Sequence, residues 1–140
     1  MKPIVLVDTG PLVAFLNRRD RYHAWALAQL AEVEPPLWTC ESVLSEACFL
    51  LRHQTKGPEA LLQLVERGLV QVRFDLQQEI LRVQKILVRY GNVPASLADA
   101  CLVRMAEISS NSRLLTLDSD FKIYRIHGRQ SIPAIMPDFA

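Results

Sequence analysis

Ile4-Val5-Leu6-Val7-Asp8-Thr9-Gly10 is the stretch that decides the fold. Four aliphatic residues in succession, ended by turn-forming residues, read as a short strand covered on both faces, as in a parallel sheet. Asp8 then stands where that strand leaves the sheet and the chain turns towards a helix beginning near Pro11. In open α/β sheets, ligands bind just outside the carboxyl ends of the strands. A carboxylate at that point is either a helix cap or the first member of a site, and the remaining acids decide which.

Outward from this strand, the pattern alternates. Helical spacing is expected from Pro11 to Asn17 and from Tyr22 to Val33, where Pro35-Pro36 stops it. Leu37 to Cys40 reads as a second strand, Glu41 to His53 as a helix and Glu59 to Arg67 as a short helix after Gly57-Pro58. Residues 69–74 alternate like a third strand. Asp75 with Gln78 has the spacing of a capping box, opening a helix with Leu76, Ile80, Val83, Leu87 and Tyr90 on one face and Gly91-Asn92 at its end. Ser96 with Asp99 repeats that spacing before a helix to about Ile108. Arg113 to Leu117 and an edge-like Ile132 to Met136 complete the strands. Strand and helix alternation throughout predicts an α/β fold of three layers, with a central, mainly parallel sheet of about five strands. At 140 residues, residues 1–140 form one domain with a sizeable core, without repeats or linkers.

Half the residues are hydrophobic, 22% are charged and the formal charge is +1. That balance alone gives no reason to expect a polyanionic partner, although the surface outside a cluster of acids would be mildly basic. No apolar run approaches the ~18 residues of a membrane span, and the N-terminus lacks a signal-peptide pattern. Cys40, Cys48 and Cys101 are odd in number, lie in apolar contexts and show no CxxC spacing. Reduced buried thiols and a cytoplasmic location follow as expectations.

Four acids carry the chemistry: Asp8, Glu46, Asp99 and Asp118, with Asp120 as a possible fifth. Each has a plain structural alternative. Asp8 could only cap its helix, and Glu46 could be a solvated residue at the border of a stripe holding Val43 and Leu50. Asp118-Ser119-Asp120-Phe121 could be only an Asx-rich turn. Asp99 is the most telling, because its helix is apolar almost all round, and a carboxylate in such a setting is costly unless bonded, paired or bound to a metal. Capping and ligation are compatible there. Two strands that each end in aspartate place their acids side by side, and carboxylates ~4 Å apart repel by roughly 4 kcal/mol at an effective dielectric near 20. Such a group takes up protons or shares cations, and an all-oxygen set suits Mg²⁺ or Mn²⁺ rather than zinc. His23, His53 and His127 are scattered, and the chain lacks a Walker loop, a GxGxxG loop and a GxSxG elbow.

Asp8-Thr9-Gly10-Pro11-Leu12, Ser45-Glu46-Ala47, Leu97-Ala98-Asp99-Ala100 and Leu115-Thr116-Leu117-Asp118-Ser119-Asp120-Phe121 resemble, in order and spacing, the PIN-domain ribonucleases, over nearly the whole chain. In size the chain is most like the VapC-type toxins of toxin–antitoxin pairs. The resemblance implies a three-layer PIN fold, an acidic site for Mg²⁺ or Mn²⁺, endonucleolytic RNA cleavage, a homodimer and inhibition by a small antitoxin. It assigns Asp8, Glu46, Asp99 and Asp118 as the acidic quartet, Asp120 as an acid present in some relatives, and Thr9 and Thr116 as supporting hydroxyls. Arg18, Arg19, Arg21, Arg52 and Lys56 are candidates for RNA phosphates, against the alternative of a solvated charged surface. The alternatives are a PIN-fold module that binds RNA or protein without cutting, and a housekeeping RNA-processing nuclease without an antitoxin. A phosphatase or phospho-receiver is disfavoured, since Thr9 and Gly10 supply no acidic partner to Asp8. The apolar surfaces of the Trp25 helix and of Leu97 to Ile108 leave core packing, a dimer interface and an antitoxin groove open.

Overall fold

Strand β1, Ile4–Val7, lies at the centre of the molecule, and the computed structural model describes residues 2–139 around it. It pairs in parallel on one side with β2 (Leu37–Thr39) and on the other with β4 (Ser112–Leu115). Beyond β2 lies β3 (Val70–Val72) and beyond β4 lies β7 (Ala134–Ile135), giving a five-stranded sheet in the order β3-β2-β1-β4-β7 with every pair parallel. The buried run Val5, Leu6 and Val7 is what a central strand with helices on both sides requires.

Helices α1 (Thr9–Leu16) and α2 (His23–Glu32) link β1 to β2, and α3 (Glu41–Leu50) and α4 (Gly57–Glu66) link β2 to β3. The chain then crosses back through α5 (Ile80–Arg89) and α6 (Leu97–Ile108) to lay β4 on the far side of β1. Strand order therefore reverses between β1 and β4, and their carboxyl ends form the switch-point crevice where α/β sheets bind ligands. Asp8 follows β1 directly, and its amide donates to the Leu115 carbonyl at 3.0 Å, carrying the ladder one step past the strand.

One hydrophobic cluster fills the space between sheet and helices, with Leu6, Leu12, Leu51, Leu61, Leu102 and Leu114 all essentially inaccessible. Helix α6 buries Ala98, Ala100, Cys101, Leu102, Val103, Met105 and Ala106, and only Leu97 and Ile108 at its ends are well exposed. Core packing thus absorbs its apolar surplus. The cysteines are free thiols, two of them buried. Among the described residues, no helix is long and apolar enough to cross a membrane.

Strand and helix ends shift from expectation by a residue or two in several elements, and the larger differences have local causes. The Gln78 amide does bond to Asp75 Oδ1, at 3.2 Å, but this closes a turn, and α5 begins only at Ile80. Glu79, at the start of α5, is drawn to the Arg104 guanidinium at 2.6 Å instead of capping. The buried face of α5 is accordingly Val83, Ile86 and Tyr90, with Ile80 exposed. Helix α3 stops at Leu50, and α4 starts at Gly57, two residues earlier than Glu59, with Pro58 in its first turn. A Cβ on Gly57 would lie 2.6 Å from the Leu51 carbonyl, so only glycine permits this turn. A two-stranded antiparallel hairpin, β5 (Arg125–Ile126) and β6 (Gln130–Ser131), has no counterpart in the sequence pattern.

Candidate active site

At the switch point a cleft of about 430 Å³ is lined by Asp8, Glu46, Asp99 and Asp118, with Thr9 beside them and Leu50 on the rim. The four acids predicted from sequence therefore meet, although they come from four separate segments. Gly10 lines the same cleft, and a Cβ there would lie 3.0 Å from Leu117 Cβ. Its missing side chain lets the first turn of α1 approach the loop that carries Asp118.

Asp8 acts both as a cap and as a lining group. Its Oδ1 accepts the Thr9 amide at 2.7 Å at the start of α1, and its Oδ2 accepts the Thr116 hydroxyl at 2.7 Å. The side chain is buried, and burial pushes its pKa up to about 6. Thr116 and Thr9 oppose the shift by bonding the charged form, while the negative charges of Asp99 and Asp118 add to it. A carboxylate held in this way gains from any cation that enters the cleft.

Asp99 is anchored by a full capping box: its amide donates to Ser96 Oγ at 3.0 Å and its Oδ2 accepts the Ser96 amide at 3.1 Å. The same Oδ2 accepts the Tyr124 hydroxyl at 3.0 Å. Both contacts fall on one oxygen, which leaves the lone pairs of Oδ1 for the cleft. Asp118 caps a short 3-10 helix, Ser119–Lys122, by accepting the Asp120 amide at 2.9 Å. Its own amide donates to Thr116 Oγ1 at 3.0 Å. Thr116, fully buried, thus ties Asp8 to Asp118 by donating to one and accepting from the other. Thr9 plays the parallel part for Glu46, donating to Oε2 at 3.2 Å. Glu46 is otherwise exposed, as the border position on its helix suggested. Asp120 is outside the lining, yet its pKa is raised, by desolvation and then by Asp118 and Asp99, so it borders the same negative field.

Sequence reasoning missed Tyr124. Its side chain is completely buried against Phe121 and Tyr90, with ring centroids 5.0 Å away in each case. Burial and the neighbouring Asp99 hold its phenol far above the ordinary range, so it remains a donor. The only sequence trace is the Phe121 and Tyr124 pair just after the Asp118 turn, and nothing local links that pair to Asp99.

The donor set is all oxygen. Among the described residues no group of three or more His, Cys, Asp or Glu side chains stands close enough to hold a metal ion between them. The arrangement fits an ion that keeps most of its waters and takes one or two carboxylates directly, as Mg²⁺ does. The basic candidates lie elsewhere. Arg18 and Arg19 line a separate polar cleft with His53, Gln54 and Thr55, which brings them beside the segment between Arg52 and Lys56. Arg52 donates to the Phe49 carbonyl at 2.7 Å and lies over the Phe49 ring, and Arg21 lies over Tyr22. None of these five lines the acidic cleft.

Comparison with known proteins bears on the whole architecture. The PIN domain family model matches residues 5–126. The crystal structure of VapC20 from Mycobacterium tuberculosis, described as a sarcin–ricin loop cleaving toxin, is similar with a TM-score of 0.76 and 24% sequence identity. That match covers 85% of this chain and 93% of VapC20, and shows the same fold. Comparison with curated protein sequences finds none that matches. With the family model spanning all of the sheet but its edge strand β7, the four acids and the helices, the chain belongs to the PIN-domain family.

Proposed function

We propose that this protein is an endoribonuclease that hydrolyses RNA phosphodiester bonds with Mg²⁺ or Mn²⁺ at the Asp8, Glu46, Asp99 and Asp118 cleft. The observation that carries the reading is the convergence of Asp8, Glu46, Asp99 and Asp118 on one cleft, with Asp8 buried at its base. A structural cap does not need those neighbours, and a cation site does. Asp8, Asp99 and Asp118 would hold the hydrated ion, one or two of them directly and the rest, with Glu46, through its waters. A bound divalent ion lowers the pKa of its water and neutralises charge developing on phosphate. Thr116 and Thr9 fix the Asp8 and Glu46 carboxylates, and Tyr124 fixes Asp99, so the ligands need little reorganisation when the substrate arrives.

The likeness to VapC20 supports a role as the toxin of a toxin–antitoxin pair, with a small antitoxin and a second copy of the chain as partners, and sarcin–ricin loop RNA as a substrate to try first. The test is cleavage of that RNA by purified protein with Mg²⁺ or Mn²⁺, against EDTA and the Asp99→Asn variant. Cleavage that needs both the metal and Asp99 is expected. Full activity in EDTA or in Asp99→Asn would refute the assignment of the site.

A further inference from the structure

A second cleft, of about 350 Å³, lies between α5 and the β5–β6 hairpin and shares no lining residue with the acidic one. Its charged lining is four cations, Arg82, Lys85, Arg89 and Arg125, against one carboxylate, Glu107. Glu107 is already engaged: Arg104 donates to its Oε1 at 3.3 Å and the His127 amide to its Oε2 at 2.6 Å. Among the described residues, none of the four cations forms an ion pair. Their charge is therefore uncompensated.

Two of the four are nevertheless held in place, by neutral carbonyls. Arg89 Nη2 donates to the Gly128 carbonyl at 2.7 Å, and its guanidinium lies over the Tyr90 ring, 5.4 Å from the centroid. A Cβ on Gly128 would lie 2.6 Å from Arg89 Nη1, and both His127 and Gly128 have left-handed backbones, with φ of 54° and 76°. The hairpin turn is thus shaped to receive this guanidinium. Arg125 Nη1 donates to the carbonyls of Lys122, Ile123 and Tyr124. Carbonyl anchoring orients a guanidinium and keeps its full charge for an anion. On α5, Arg82, Lys85 and Arg89 follow at spacings of three and four, which puts them on one face over about 10 Å of helix. The base of the hairpin also touches the acidic site: the Arg125 amide donates to Tyr90 Oη at 2.8 Å, and Tyr124, the preceding residue, donates to Asp99.

We infer that this cleft is an RNA-backbone exosite, which holds phosphates of a substrate strand outside the stretch being cut. The inference rests on the ribonuclease reading for its choice of ligand. A cleft of four acids repels a polyanion, so dwell time has to come from cations placed elsewhere. This grouping is denser than the two arginines at Arg18 and Arg19. Phosphate contacts of this kind give affinity and position without reading sequence.

The test is binding of labelled oligouridine in EDTA, with oligomers of about 4 and about 20 nucleotides, by the parent and by the Arg82→Ala, Lys85→Ala double variant. Both side chains are exposed, so the variant is expected to melt with the parent. It should bind the long oligomer roughly ten- to thirty-fold more weakly at about 0.1 M salt, with the slope of log K against log salt reduced by about 1.4. Binding of the short oligomer, which the cationic cleft alone can hold, should weaken as well. Equal affinity and slope for the long oligomer would overturn the inference, as would a variant that loses only polyglutamate binding, which would mark the cleft as a site for an acidic polypeptide. Binding that depends on the cleft in a parent that never cleaves would refute the nuclease reading and leave the exosite standing. A parent that cleaves, with a variant that binds and cleaves the long oligomer equally well, would refute the exosite alone.

Discussion

Replacing Asp8 with Asn should stabilise the metal-free protein while removing its activity. In the folded chain burial raises the Asp8 pKa to about 6, against an ordinary value of 3.8. Folded protein therefore keeps a proton that the unfolded chain has already released, and stability falls as pH rises through that window. Each pKa unit is worth 1.36 kcal/mol, so the ionised Asp8 costs roughly 3 kcal/mol above about pH 6 and nothing below about pH 4. Asn keeps the cap, because its Oδ1 can still accept the Thr9 amide. Its Nδ2 must face Thr116, whose hydroxyl would turn from donor to acceptor, and this mismatch returns ~1 kcal/mol. The net gain at pH 8 is about 1–3 kcal/mol, or roughly 3–10 °C in Tm for a chain of this size. Urea or thermal unfolding of both proteins in EDTA, from pH 4 to pH 8, measures it. The expected result is a gap that opens between about pH 4 and pH 6 and then stays constant. An Asp8→Asn variant that is less stable than the parent by the same amount at every pH would refute the reasoning, because Asp8 would then be an ordinary cap without desolvated charge.

Adding Mg²⁺ reverses the comparison: at a hundred times its dissociation constant it should stabilise the parent by about 2.7 kcal/mol and leave Asp8→Asn and Asp99→Asn near their EDTA melting points, as read by thermal shift. Thr116→Val removes the donor to Asp8 and the acceptor for the Asp118 amide, and should cost about 2–4 kcal/mol at pH 7 in urea unfolding, whereas Thr116→Ser should stay within ~1 kcal/mol of the parent. Tyr124→Phe keeps the ring contacts with Phe121 and Tyr90 but frees Asp99. It should lose about 1.5–3 kcal/mol in the same assay, and equal stability would show that the phenol does not restrain Asp99.

What the sequence discloses depends on how local the physics is. Asp8 is legible because the aliphatic run of β1 ends on it, and Asp99 because Ser96 and an apolar helix flank it within a few residues. The parallel order follows from the alternation of strands and helices around β1. Tyr124 is invisible by the same logic, since its hydroxyl reaches Asp99 from 25 positions away. The β5–β6 hairpin has two-residue strands, too short for any period to show, and its turn is stabilised by Arg89 and Glu107 from other elements. The start of α5 lies beyond its capping-box signature because a carboxylate at a capping position, Glu79, finds a guanidinium in α6. Chain order suggests that Arg18 and Arg19 lie near the acids, and the fold sends them to a different cleft.

Three of the four acids serve as helix caps, and this explains how the site tolerates its own repulsion. Asp8 caps α1, Asp99 closes the box of α6, and Asp118 caps the 3-10 helix after β4. Capping fixes each side chain through one backbone amide, at a helix N-terminus whose dipole favours negative charge. Each cap is satisfied at one carboxylate oxygen, so the other is available to the cleft or to a hydroxyl that faces it. The helix ends therefore supply both the positioning of the carboxylates and part of the field that opposes their mutual repulsion. Asp8, the most buried of the three, has its pKa raised chiefly by that burial, and the charges of Asp99 and Asp118 add to the shift. A divalent ion entering between these oxygens would act on ligands that the folding of three separate helices has already set in place.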